Sequence, residues 1–545
     1  MRTKTSLQGI RFGFFTIVIL LAFFVAGARS VNAQCPHPKA VKNAAGECVF
    51  TTDQTLDATL ILPSNTTLNC QFHSLQARRP GKSTAANERS FPEVAIFLNG
   101  AQNVVIKNCT FDKFDFGVFA VNSKRNPDSP PSIQILNNII VARFVGISLM
   151  SVDDTEIRGN QVTSIITGGR GLYVGRNSDR NIILNNTIRV DITPDPNDPN
   201  LNSTQTAVRA PGPAGASNPL VGPLSANAKE GSAILIAQTE GPEPTLLNAI
   251  VEGVLYQLPV GNTAAPEDFS EDNIFEGNAV TLVGTIPVDG VVLASSQGTR
   301  VSKNRVVGAK NSIRVGLQTG TKQFHGTCTN LDSQLHPHFC FENGECNVSG
   351  VNLGACQILP PQAISWVSHK TIIQDNEVTL RQNTPIAVGI ATSGEDTVIT
   401  GNNIRGVVQT GSPLTGFGIR LAGKFALATT IVTRNRVKNI AFALDLIHNV
   451  PGQSAVLASA FNARISVNDF TNYGKAVKLS PGYTFFTELS AFTENSPIAR
   501  GNFWDEVCPI GLKPSAVDPE NPRIVTDIHP FGRLVVDTFL LAPCF

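Results

Sequence analysis

The sequence predicts an all-β solenoid, a parallel β-helix stacked from about twelve short coils. Three observations predict it. A six-residue pattern, apolar-x-x-Asn-x-apolar, recurs along most of the chain. A second pattern, Gly-apolar-x-apolar, precedes many of its copies. The composition is that of a turn-rich β protein: of 545 residues 45 are Gly and 34 are Pro, while only 16% are charged.

The elements follow in chain order. Arg2, Lys4 and Arg11 precede an apolar run from Phe12 to Ala28, and Val31-Asn32-Ala33 supplies small residues for cleavage. Residues 1–33 are therefore read as a signal peptide, with an uncleaved anchor as the alternative. No later segment is apolar enough to span a bilayer. Export implies disulfides for the ten cysteines. They fall into local sets: Cys35 and Cys48; Cys70 and Cys109; Cys328, Cys340, Cys346 and Cys356; Cys508 and Cys544. Residues 34–60 and 506–545 are read as caps, and 61–505 as the stack, interrupted by insertions at about 191–270 and 321–361.

Within the stack the repeated Asn falls at Asn138, Asn160, Asn186, Asn278, Asn304, Asn376, Asn402, Asn435, Asn468 and Asn502. Asn tolerates the left-handed backbone of a sharp bend, and stacked amides can hydrogen-bond along the axis. The second pattern includes Gly146-Ile147-Ser148-Leu149 and Gly418-Ile419-Arg420-Leu421, short strands that place alternate side chains in and out. Thr67–Phe72 and Ile106–Phe111 fit the first pattern with Cys70 and Cys109 in place of Asn. Neighbouring coils would bring these two within disulfide reach. Both insertions are expected to project from the stack, because the ladder must resume in register after each.

With these motifs the chain resembles the right-handed parallel β-helix repeat proteins, the superfamily that includes pectin lyase-like folds. The resemblance covers roughly Asn65 to Trp504 outside the insertions. It implies the fold, and a range of activities that includes polysaccharide lyases, hydrolases, epimerases and adhesins. No Gly-His-Gly element of the polygalacturonases occurs, nor the arginine motif and calcium-binding carboxylates of pectate lyases. Asp153-Asp154 and Glu395-Asp396 are read as turn residues.

Lys plus Arg number 43 and Asp plus Glu 42, which argues against nucleic acid as a partner. His325, His336 and His338 lie among the cysteines of the second insertion, but export favours disulfides there over a metal. No cofactor is predicted; calcium is left open, with zinc or copper the lesser alternative at the His/Cys insertion. The candidate binding residues come from the columns flanking the ladder Asn: Lys303, Arg305, Asp375, Glu377, Arg434 and Arg436. Cations that hold a carboxylate beside groups able to act as base or acid are what an acidic-sugar site needs. Paired cross-strand charges explain the same column without a ligand. The sequence thus points to an exported protein, secreted, periplasmic or on the cell surface, that binds or processes polysaccharide along its side. Its alternative is a non-catalytic surface or adhesion module.

Overall fold

The computed structural model describes residues 35–80, 90–124, 132–165, 170–175, 178–191, 270–284, 289–316 (except 295), 368–447 (except 383) and 463–479. To these it adds short strands within 232–256, 326–358 and 487–543. Its spine is a 13-stranded sheet in which every pairing but the first, Val41–Lys42 with Cys48–Val49, is parallel. From Cys48–Val49 onward each of these strands belongs to a different coil. Ile135 thus lies beside Ile157, then Ile183, Phe275, Val301 and Ile373, every one of them buried. A second inner column runs through Ile140, Val162, Ile188, Val280, Val306 and Val378. These are the apolar positions on either side of the repeated Asn. Burying one such side chain stabilises the stack by about 1.5–3 kcal/mol.

The Asn residues themselves form a continuous buried ladder. Asn304 donates its backbone N–H and Nδ2 to Asn376 Oδ1, at 2.9 and 3.0 Å, and Nδ2 also donates to Phe275 O. The same arrangement links Asn138 through Asn160, Asn186 and Asn278, and Asn376 through Asn402, Asn435 and Asn468. One part of the sequence reading is corrected here. The left-handed residue is the one before the ladder Asn: Gly277, Lys303, Asp375, Gly401 and Arg434 have φ of 68°, 54°, 55°, 68° and 57°. The Asn is held instead by hydrogen bonds to the coils on either side, through its own N–H, Nδ2 and Oδ1.

The predicted bonds Cys35–Cys48 and Cys70–Cys109 are both formed, with Cα separations of 5.5 and 4.7 Å. In the second insertion the strands Gly326–Cys328 and Cys356–Ile358 pair antiparallel and set Cys328 opposite Cys356. Cys346, Cys508, Cys544 and the three histidines of that insertion lie outside the described residues. The first insertion does not simply project. Its strand Ser232–Ile236 enters the sheet between Arg170–Gly175 and Val291–Ala294, antiparallel to both. The hairpin Ala249–Val251 with Val254–Tyr256 places Val251 in an apolar cluster with Phe97, Phe119, Phe144 and Tyr173. That cluster coats the outer face of the N-terminal coils. A helix, Gly423–Thr429, fills one turn and buries Ala426 and Leu427, which accommodates the longer step from Asn402 to Asn435.

Candidate functional site

The predicted column is assembled in register. Arg305 pairs across from Glu377, Glu377 from Asn403, Asn403 from Arg436, and Arg436 from Asp469. Arg305, Glu377 and Arg436 are exposed. Lys303 Nζ is 2.9 Å from Glu276, and Arg436 Nε is 3.0 Å from Asp469. Glu276 is held below its ordinary value, first by the hydrogen bond from Lys303. Two of the six candidates are therefore tied to acids of adjoining coils. Among the described residues no ion pair joins Arg305 to Glu377, and none engages Asp375 or Arg434.

A second edge of the stack carries the turn acids. Asp153, Asp179 and Glu271 follow one another, and each carboxylate accepts the amide of the next coil: Asp153 from Asp179 at 3.1 Å, Asp179 from Glu271 at 2.9 Å. Lys124 reaches Asp153 at 2.8 Å, and Arg180 forks onto Asp154 at 3.0 and 2.9 Å. This is the structural turn role read for Asp153-Asp154. Glu395-Asp396 occupies the same edge further along, with Asp396 left-handed at φ 49°.

The richest chemistry lies elsewhere, on the outer face of a further strand column. There Val292 is followed by Arg314, Ala391, Arg420, Asp445 and Lys478 on successive coils. The neighbouring outward positions place Val388, Phe417, Phe442 and Lys475 side by side. Phe417 and Phe442 stack at 5.3 Å with planes 13° apart. Arg420 lies 4.7 Å from the Phe417 centroid and Lys475 5.7 Å from that of Phe442, while Lys478 stands 5.2 and 5.4 Å from both. Such cation–ring contacts hold extended side chains over an apolar floor. Asp445, 2% exposed, accepts Arg420 Nε at 2.6 Å.

Two coils before Arg420, Asp289 accepts Arg314 Nη2 at 3.0 Å and Asn311 Nδ2 at 2.6 Å, all three residues being buried. Among the described residues Arg314 Nε and Nη1 have no hydrogen-bond partner. Sequence reasoning missed this face. Only part of the signal was present: Arg420 is the x of Gly418-Ile419-Arg420-Leu421, whereas Ser312 and Ala443 stand where the glycine would be at Arg314 and Asp445.

Among the described residues no three His, Cys, Asp or Glu side chains gather closely enough to hold a metal ion, and no helix is long and apolar enough to cross a membrane.

The family described as "Right handed beta helix region" matches residues 42–188. Together with the coil register, this makes the chain a right-handed parallel β-helix protein. No curated protein sequence matches it. Among solved structures it is similar to the periplasmic alginate epimerase AlgG, at 10% identity over 79% of this chain and 75% of that one, with a TM-score of 0.34. It is similar to an alginate lyase from Paenibacillus sp. str. FPU-7 at 9% identity, over 77% and 99% of the two chains, with a TM-score of 0.30. For PfbA, a surface adhesin of Streptococcus pneumoniae, the values are 11%, 80%, 85% and 0.34. At such values the likeness carries nothing about the site.

Proposed function

We propose that the chain binds an acidic polysaccharide on the outer face built by Phe417, Arg420, Phe442, Asp445, Lys475 and Lys478. The carrying observation is the placement of cations over the stacked rings: Arg420, Lys475 and Lys478 all stand over the ledge that Phe417 and Phe442 form, and Arg420 is oriented there by the buried Asp445. Arg420 spends Nε on Asp445, and its Nη groups have no partner among the described residues. Half-buried cations on an apolar floor suit a sugar ring bearing a carboxylate: the ring covers the floor and the charge meets the guanidinium and ammonium groups. The coil-to-coil spacing of about 4.8 Å offers repeated positions to a repeating ligand. Disulfides at both ends of the first coils favour an oxidising compartment, so the protein acts outside the cytosol, as a secreted, periplasmic or surface protein.

Polyglucuronate and its neutral counterpart, soluble β-1,4-glucan, test the reading by affinity electrophoresis. The acidic polymer should retard the protein and the neutral one should not. Lys478→Glu should weaken retardation by about tenfold or more, because it reverses a charge on the ledge. Arg420→Gln with Asp445→Asn removes the ion pair without stranding a buried charge, and should weaken it similarly. Arg305→Ala with Glu377→Ala, on the ladder edge, should leave it unchanged. Equal retardation by both polymers, or an effect of the Arg305/Glu377 pair alone, would move the site off this face. Polymer length after incubation tells a binding module from a depolymerase.

A further inference from the structure

Arg314 is an expensive residue to bury as it stands. Its side chain is 8% exposed, with Nε and Nη1 shut off from solvent, and it pairs with Asp289, whose side chain is 6% exposed. Nη2 meets that carboxylate at 3.0 Å, and Asn311 supplies the acid's other contact. The pair is neutral overall, yet Nε and Nη1 have no partner among the described residues, leaving three N–H donors unspent. Buried polar groups of native proteins are satisfied almost without exception, and those that are not deserve a reason. A ligand group is one.

The position of Arg314 supplies the second half of the argument. It stands in the same outward column as Arg420, with Ala391 between them. Two coil steps separate the guanidinium groups' strands, roughly 10 Å along the axis. Ala391 contributes only a methyl at the intermediate coil, and with Val388 and Phe417 it forms a small apolar cluster there. The column therefore reads cation, apolar gap, cation.

We infer that Arg314, positioned by Asp289 and Asn311, is a second carboxylate subsite, and that the ligand is a polyuronate lying along the stack with its same-side carboxylates on every second sugar. The inference rests on the reading of the Arg420 face given above and specifies its substrate. In an extended 1,4-linked chain near twofold screw symmetry, successive rings face opposite ways. Carboxylates on one side then recur at every second ring, and one ring is about as long as one coil step. A first uronate meets Arg314, the next lays its apolar face over Ala391 with its carboxylate turned to solvent, and the third meets Arg420.

The test uses β-1,4-linked oligoglucuronates of one to four units, with cello-oligosaccharides as neutral counterparts, titrated calorimetrically into the mature protein. Affinity should rise by about tenfold between the dimer and the trimer, the shortest ligand that reaches both guanidinium groups. Arg314→Gln combined with Asp289→Asn should abolish that step while leaving monomer and dimer affinities within about twofold of the parent. Ala391→Leu, which fills the gap without touching the buried pair, should depress trimer binding and spare the monomer. A dimer-to-trimer step that survives in both variants overturns the Arg314 subsite and leaves the Arg420 reading standing. Equal affinity for the cello-trimer, or for a sulfated trimer, overturns the uronate assignment. Failure of every oligoglucuronate to bind the parent overturns the acidic-glycan reading itself, and the subsite with it.

Discussion

Asp179 lies on the acid edge with its carboxylate accepting the Glu271 amide at 2.9 Å and facing Lys124 Nζ across 3.9 Å. Burial pushes it up to about 6, with Asp153 and Glu271 adding to the rise and the Glu271 amide and Lys124 opposing it. Its ordinary value is 3.8. Between these two values the folded chain binds more protons here than the unfolded one, so this group destabilises the fold as pH rises towards and through 6. Asp179→Asn should therefore raise the thermal midpoint at pH 7 relative to the parent, and the gap should close as pH falls from about 6 to 4. A gap that is constant with pH overturns the assignment. Glu47 acts in a lower window and with the opposite sign. Its hydrogen bond from Lys107, at 2.6 Å, holds it at about 2, and that stabilisation is lost on acidification from its ordinary value of 4.5. What the sequence showed at this scale was residue type and period. The ladder Asn was legible because ten copies share one offset. The left-handed position was misplaced by one residue, because Gly, Lys, Asp and Arg all occupy it and no single residue type marks it.

The strand elements meet at a bend that admits almost no side chain. Gly117, Gly146 and Gly171 lie on successive coils, as do Gly389, Gly418 and Ala443 further along. A Cβ on Gly146 would run into the Val162 side chain and stand 2.6 Å from Gly171 O. A backbone carbonyl of the next coil cannot retreat without breaking the parallel pairing. Gly146→Ala should accordingly destabilise the stack by about 1–3 kcal/mol, read as a lower denaturation midpoint. Gly46→Ala isolates the other cost of a Cβ, since nothing approaches within 4 Å there but its φ of 80° strains any side chain. A loss at Gly146 below about 0.5 kcal/mol would show that the bend relaxes. The same glycines explain why the binding face was hard to read. Arg314, Arg420 and Asp445 are fixed relative to the bend, not to the ladder: Arg314 follows Asn304 by ten residues, Arg420 follows Asn402 by eighteen. At Arg314 and Asp445 the small residue is Ser312 or Ala443, so the Gly pattern breaks where the site begins. The antiparallel entry of Ser232–Ile236 was illegible for a different reason. Its partners lie on either side of a long insertion, and nothing in a serine followed by four apolar residues specifies strand direction.

Across the whole molecule each coil contacts its neighbours and little else, so stability is a sum of local interfaces and need not be shared along the stack. The ends are where such a molecule frays. Here the Cys70–Cys109 bond joins two adjacent coils through the column that carries Asn elsewhere, both sulfurs buried. It closes a segment with a sequence separation of 39, long enough for a constraint on the order of 2–4 kcal/mol. Because coupling decays along a solenoid, that constraint should act on the first coils and be spent before it reaches Arg314. Cys70→Ala with Cys109→Ala should speed amide hydrogen exchange at Leu68, Val105 and Ile106. Exchange at Ile373, Ile399 and Val432 should stay within about twofold of the parent, and so should polyglucuronate affinity. Equal acceleration at both sets of amides would mean that the stack opens as one cooperative unit. The outer face would then depend for its geometry on a bond many coils away, and the division between a clamped, apolar-coated N-terminal half and an open, charged C-terminal half would be a division of surface only.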